Sequence, residues 1–151
     1  MGGVQPIAFT LRFAGEAVEL EDERFWAETR VFAPVEDERA GERPEEIRTD
    51  SALCRRNLEV RADGSLVQVG EITFGADDAI TFRADGALRA SPDPAVRHGT
   101  AVLEVTGGRG RLAGARGYVT SNFLLSDAGE LTDHHLGLLF VERPVQEEAL
   151  P

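Results

Sequence analysis

The chain has no lysine: all 16 of its basic residues are arginine, set against 27 acidic ones, for a net charge of −11 over 151 residues. Without lysine there is no Schiff-base chemistry, no pyridoxal phosphate attachment and no P-loop lysine. The shortage of positive charge argues against nucleic acid or an anionic membrane surface as partner, because phosphate-rich surfaces are held by clustered basic residues. Cys54 is the only cysteine, which excludes an intramolecular disulfide, a C-x-x-C redox pair and a multi-cysteine zinc site. Long apolar runs are also missing. The longest goes from Leu138 to Val141, far short of the ~20 residues of a membrane span. No basic segment followed by an apolar stretch opens the chain, so the expectation is a cytoplasmic protein.

With 42% hydrophobic and 28% charged residues, the sequence suits one globular domain over residues 1–151. A chain of this length buries roughly 70% of its unfolded surface without a disulfide or metal staple. Glycine numbers 16 and recurs with Asp or Ala in short breaks: Asp63-Gly64, Gly75 to Asp78, Asp85-Gly86, Gly107-Gly108 and Ala128-Gly129. These are turn signals. Between them lie strand-length segments: Ile7 to Phe13, Ala52 to Val60, Ser65 to Phe74, Ala79 to Ala84, Thr100 to Thr106, Gly117 to Leu125 and Leu131 to Val141. Two Asp-Gly pairs flanked by β-favourable residues add hairpin signals. Ala17 to Arg30 fits either a helix or a strand, the latter with Phe25, Ala27, Thr29 and Val31 on one face. The charged, proline-containing stretch 34–46 reads as a mobile loop and 143–151 as a flexible tail. Together these predict an all-β fold, a small closed antiparallel up-and-down barrel of calycin-like form, in which closure removes exposed edges.

From Gly99 to Asn122 the chain reads G-T-A-V-L-E-V-T-G-G-R-G-R-L-A-G-A-R-G-Y-V-T-S-N. Glycines here suit a strand turning a barrel corner, and a nucleotide loop is rejected because Gly114 and Gly117 break the helix it would need. The stretch resembles the signature of the allene oxide cyclase and dirigent family, V-x-G-G-x-G-x-F-x-x-A-x-G-Y. Val105, Gly107, Gly108, Gly110, Ala115, Gly117 and Tyr118 match, with Leu112 in place of phenylalanine. Weaker similarity runs through S-A-L-C at Ser51 to Cys54 and V-G-E-I-T-F from Val69, so the resemblance covers about the last two-thirds of the chain.

The resemblance implies a barrel whose apolar cavity holds a reactive small molecule and dictates ring closure or coupling, with no cofactor. Cyclase relatives isomerise an unsaturated epoxide to a cyclopentenone, similar small bacterial barrels close rings on polyketide-type chains, and dirigent relatives steer radical coupling. The missing secretion signal favours a cytoplasmic cyclase or isomerase acting on an apolar polyketide- or fatty-acid-derived intermediate. The alternative is a non-catalytic, dirigent-like or lipocalin-like binding protein. A filled barrel serving only as an interaction domain is the third option.

Such chemistry needs a shaped apolar pocket and a few polar groups that hold an oxygen or move one proton. Tyr118, the only tyrosine, is expected to point inward with its hydroxyl on a substrate carbonyl. Glu71, with Glu59 and Glu104, lies in a strand where an inward carboxylate has a raised pKa. His134 and His135 are adjacent, so on a strand only one enters the lumen. His135 is the candidate acid or base. With only His98 left over, no metal site is expected. Cys54 is expected on the cavity side as a buried thiol rather than a nucleophile. Trp26 and Phe25 suit a lid or a plug at the cavity mouth. Phe74, Asn122 and Phe123 complete the expected lining, the last two from opposite faces of one strand because alternation alone leaves open which face points inward. The strand from Leu131 is apolar on both faces beyond Leu136, which predicts a homo-oligomer, dimer or trimer.

Overall fold

Burial alternates residue by residue along the strands, as it must when one face of each lines a core and the other meets water. The computed structural model describes residues 2–32, 45–47, 49 and 51–144. Its strands are β1 (Gly2–Glu21), β2 (Arg24–Val31), the two-residue β3 (Glu45–Glu46), β4 (Ala52–Val60), β5 (Ser65–Phe74), β6 (Asp78–Ala90), β7 (Val96–Arg109), β8 (Arg116–Ser126) and β9 (Glu130–Pro144). Each long strand is hydrogen-bonded antiparallel to the next, and β1 pairs with both β9 and β2. The result is a closed eight-stranded barrel. β3 is outside the ring, pairing parallel with Ile7 and Ala8.

The segment that fitted helix or strand is a hairpin. β1 and β2 turn at Asp22-Glu23, where Glu23 adopts a positive φ of 57° and its N–H donates to Glu19 Oε2 at 3.1 Å. Phe25, Ala27 and Thr29 face the lumen. β4 and β5 have the boundaries expected from sequence, whereas two proposed breaks are interior to strands. Asp85-Gly86 is not a turn, because β6 runs through it. A Cβ on Gly86 would stand 2.1 Å from the Thr100 carbonyl oxygen, so the glycine serves close strand approach. Gly107-Gly108 likewise belongs to β7, just past a bulge opposite Thr81 and Phe82. The true β6–β7 turn is held by Ser91, whose hydroxyl accepts from the Asp93 N–H at 3.0 Å, and by Asp93, whose carboxylate accepts from the Ala95 N–H at 3.0 Å. Most of the segment 34–46, and residues 145–151 of the tail, lie outside the described residues, while Arg143 and Pro144 belong to β9.

The glycine-rich run after β7 forms a short 3-10 turn, Gly110–Leu112, that folds Leu112 into one end of the barrel. Gly110 has φ 66°, and a Cβ there would meet both the Asp77 carbonyl and the Asp78 carboxylate at 2.4 Å. Asp78 accepts from the Arg111 backbone at 2.9 Å and from its Nε at 3.0 Å, which locks the turn to the β5–β6 connection. These hydrogen bonds hold the Asp78 carboxyl below its usual range.

Two apolar clusters fill the lumen. The larger, at the end closed by Leu112, includes Ile7, Phe9, Phe13, Ile72, Phe74 and Leu139. The smaller, at the hairpin end, includes Phe25, Leu58, Leu66, Leu88, Phe123 and Leu131. Aromatic rings gain room by lying over strand glycines. A Cβ on Gly99 would fall 2.1 Å from the Phe123 ring, and one on Gly137 would fall 2.3 Å from the Phe9 ring. Gly99→Ala and Gly137→Ala are each expected to destabilise the fold by about 1–3 kcal/mol, the cost of overpacking a filled core. Equilibrium urea unfolding reads this out, and unchanged midpoints would show that the rings shift freely.

Candidate functional site

Between the two apolar clusters the lumen carries a layer of polar side chains. β4 directs Cys54, Arg56 and Leu58 inward, β5 contributes Gln68, β8 contributes Ser121, and β9 contributes Asp133 and His135. Arg56 reaches across the barrel from β4 to β9, and its Nη2 lies 2.7 Å from Asp133 Oδ2. Both side chains are 0% exposed. The same carboxylate oxygen accepts from His135 Nε2 at 2.8 Å, and the Ser121 hydroxyl donates to Oδ1 at 2.8 Å. Arg56 Nη1 donates to Gln68 Oε1 at 3.2 Å. Gly70, opposite Arg56 on the neighbouring strand, leaves the space this side chain needs: a Cβ there would lie 2.7 Å from Arg56 Cβ. Aromatic rings flank the layer, with the guanidinium carbon 5.4 Å from the Phe123 ring centre and the His135 ring 4.8 Å from that of Phe13.

Burial opposes ionisation of Asp133, but His135 and Arg56, together with the hydrogen bonds from His135 and Ser121, outweigh it and hold the carboxyl well below the usual carboxylate range. Burial likewise works against the Arg56 charge, and Asp133 more than restores it. The layer is therefore a sealed ion pair. Its hydrogen bonding is incomplete, for Arg56 Nε, Gln68 Nε2, His135 Nδ1 and the nearby Thr29 Oγ1 are buried without a hydrogen-bond partner, and Arg56 Nη2 meets Asp133 as an ion-pair contact. Unpartnered buried polar atoms are uncommon in folded proteins and point to a water, an ion or a ligand.

No protein-family model matches the chain, and no curated protein matches it. Among solved structures, a pterocarpan synthase dirigent protein superposes with a TM-score of 0.57 at 14% identity, covering 92% of this chain and 88% of that one. The fold is a dirigent-like β-barrel. At this identity the likeness is one of architecture.

This dirigent-like barrel sorts the sequence candidates into two sets. His135, Cys54, Phe25, Phe74 and Phe123 face the lumen, His135 within the polar layer and Cys54 one alternation from Arg56. Tyr118, Glu71, Trp26 and Asn122 do not. The inward reading of Tyr118 is corrected: it is 59% exposed on the outer wall. Its strand buries Val119, Phe123 and Leu125 on the opposite face, and hiding several apolar side chains outweighs hiding one phenol. Glu71 also faces outward, beside Arg109 at 3.4 Å. Asn122 hydrogen-bonds His98 on the outer face of β7 and β8. Trp26 and Glu71 line an outer concavity of about 500 Å³ together with Arg55 and Asn57, so Trp26 is neither lid nor lumen plug. A neighbouring outer groove of about 410 Å³ is lined by residues including Leu20, Glu21, Arg24, Asn57, Glu59 and Val69.

Sequence reasoning missed Arg56, Gln68, Ser121 and Asp133. Their signal was positional, since each occupies an inward slot in a run whose neighbours two residues away are apolar or buried. An arginine between Cys54 and Leu58 in alternation, and an Asp-x-His between Leu131 and Gly137, are polar residues in core register.

Removing one partner leaves the other charge buried and alone. Asp133→Asn is expected to cost about 3–5 kcal/mol in urea unfolding at neutral pH, whereas Arg56→Met with Asp133→Leu is expected to recover most of that loss. Because Asp133 ionises more readily folded than unfolded, its contribution is full above about pH 4 and disappears as pH falls through the lowered native value. Wild-type stability should thus decline more steeply than that of Asp133→Asn between pH 5 and pH 2, and parallel curves would remove Asp133 as the cause. Burial pushes the Cys54 thiol up to about 11. Iodoacetamide at pH 8 should leave it unmodified in the native barrel and alkylate it readily in urea.

Proposed function

We propose that the barrel binds a small, largely apolar molecule against its polar layer and steers its ring closure, as a cofactor-independent cyclase or isomerase acting on a polyketide- or fatty-acid-derived intermediate. The observation that carries this reading is the layer itself: a charged, hydrogen-bonded set with three unpartnered nitrogens, held between two apolar clusters. A purely structural core gains little from a buried ion pair, because desolvation cancels most of the attraction. A site that must orient an oxygen-bearing apolar molecule uses such groups directly. His135 is the residue suited to proton transfer, with Nε2 tied to Asp133 and Nδ1 left for the substrate. A barrel of this fold is a pterocarpan synthase in the structural neighbour, which supports a small molecule as the occupant here.

The outer wall supports a second copy of the chain as partner. Leu136, Leu138 and Phe140 of β9 are exposed, with Tyr118 and Thr120 beside them on β8 and Pro6, Ala8 and Thr10 beside them on β1. The patch's one charged neighbour on β8 is Arg116, opposite Phe140. For molecules of net charge −11, an apolar face with no acidic side chain among these residues is where two copies approach with least repulsion. Leu138→Glu with Phe140→Glu is expected to shift the mass in solution from oligomer to monomer, and a native oligomer that survives both changes would place the interface elsewhere.

Native mass spectrometry of the purified protein, followed by denaturation and identification of any released molecule, supplies the chemical class for a ring-closure assay. Closure faster with protein than without, lowered at least about tenfold by His135→Gln and unchanged by the outward Tyr118→Phe, is the expected result. Equal rates with and without protein would leave a passive binder, and failure to take up any apolar molecule would leave a filled barrel.

A further inference from the structure

A sheet closed into a barrel is convex on its outside, so a hollow there has to be built by side chains standing around a low floor. Such a hollow lies over β2, β4 and β5. Trp26, Asn57 and Val69 sit directly opposite one another on these strands, and Glu28, Arg55 and Glu71 form the next row of the outer wall. The two rows line the concavity of about 500 Å³. Through Asn57 and Val69 they join it to the groove of about 410 Å³, whose far wall is Leu20 and Arg24 of the β1–β2 hairpin. Spaces of this size suit a small organic molecule.

Charge narrows what fits. Glu28 lies 3.3 Å from Arg30 and 3.7 Å from Arg55, and Glu71 lies 3.4 Å from Arg109. An ion of either sign entering this alternation meets a like charge beside every opposite one. A neutral ligand bearing hydroxyls instead finds acceptors in the carboxylates and donors in the guanidinium and the Asn57 amide. Exposed pairs of this kind hold one another weakly, so they share hydrogen bonds with a ligand at little cost. The rest of the hollow is apolar: Trp26 and Val69 are 36% and 51% exposed, and the face of an indole attracts C–H groups. We propose that this outer hollow binds a neutral saccharide, with the C–H face of a sugar ring on Trp26 and Val69 and its hydroxyls held by Asn57, Arg55, Glu28 and Glu71. The site is on the opposite side of the wall from the lumen, so it is independent of what the barrel encloses. On the ring β4 lies diametrically across from β8, so a second copy seated on the β8–β9 face leaves the hollow open.

Trp26 is the only tryptophan of the chain, so intrinsic fluorescence reads the site without a label. The probes are cellotetraose, maltotetraose and chitotetraose, with end-capped tetraglycine and 1-hexanol as neutral comparisons. At least one tetrasaccharide is expected to change the emission saturably, with half-saturation below about 10 mM and at least about tenfold tighter than either comparison. Asn57→Ala is expected to weaken that saccharide about tenfold by the same readout, and Trp26→Phe to do so by calorimetry. Thermal melting confirms that at least one variant folds. No saturable response to any of the three tetrasaccharides, tighter binding of hexanol, or a folded variant with undiminished saccharide affinity would each overturn the proposal. Tighter binding of tetraglycine would overturn it too, and would reassign the hollow to an extended peptide.

Discussion

The ion pair between Arg56 and Asp133 is the constraint around which the interior is arranged. A guanidinium that crosses the lumen needs a strand opposite that can spare a side chain, and Gly70 provides that space. It needs a counter-charge, and Asp133 provides one at 2.7 Å. The counter-charge in turn collects a hydroxyl from β8 and an imidazole from β9. Arg56 is on β4 and Asp133 on β9, so the pair ties together walls that share no backbone hydrogen bonds. Desolvation makes such an arrangement weak as a source of net stability and demanding as a specifier of geometry.

The division of the lumen follows from that pair. Above and below it the side chains are apolar, in separate clusters with separate aromatic anchors: Phe9 against Phe74 at one end, with ring centres 5.2 Å apart, and Phe25 and Phe123 at the other. The polar layer is carried by strands throughout, and strands hold side-chain positions more tightly than loops do. The interior is thus preorganised: its donors are fixed in place, and the cost of ordering them was met when the barrel folded.

Architecture was legible in the sequence because turns and alternation are local. Asp63-Gly64, the Gly75 to Asp78 break and Ala128-Gly129 mark turns through glycines at positive φ or short acidic connections, and β4 and β5 announced their own limits. Asp85-Gly86 misled because the same dipeptide serves a tight turn or a close approach between strands, and only the neighbouring β7 decides which. The site was less legible. Tyr118 drew attention by composition and motif, but its face is set by Val119 and Phe123, whose burial depends on closure of the ring. Arg56 and Asp133 are far apart in sequence, and nothing local to either names the other. Residue type favoured the lumen for Cys54 and Phe74, but it could not choose between His134 and His135 or between Asn122 and Phe123, whose faces are set by the closed ring.

β1 joins the ring at both edges, pairing with β2 beside it in sequence and, over Gly2 to Glu16, with β9 at Glu130 to Pro144. The seam that seals the barrel therefore unites segments separated by nearly the whole described chain. Such a contact carries a high loop-closure cost and forms late. β9 follows every other described strand in sequence, so the polar layer, which draws Asp133 and His135 from it, is complete only once that seam has closed. The interior chemistry and the topological completion of the fold depend on the same strand.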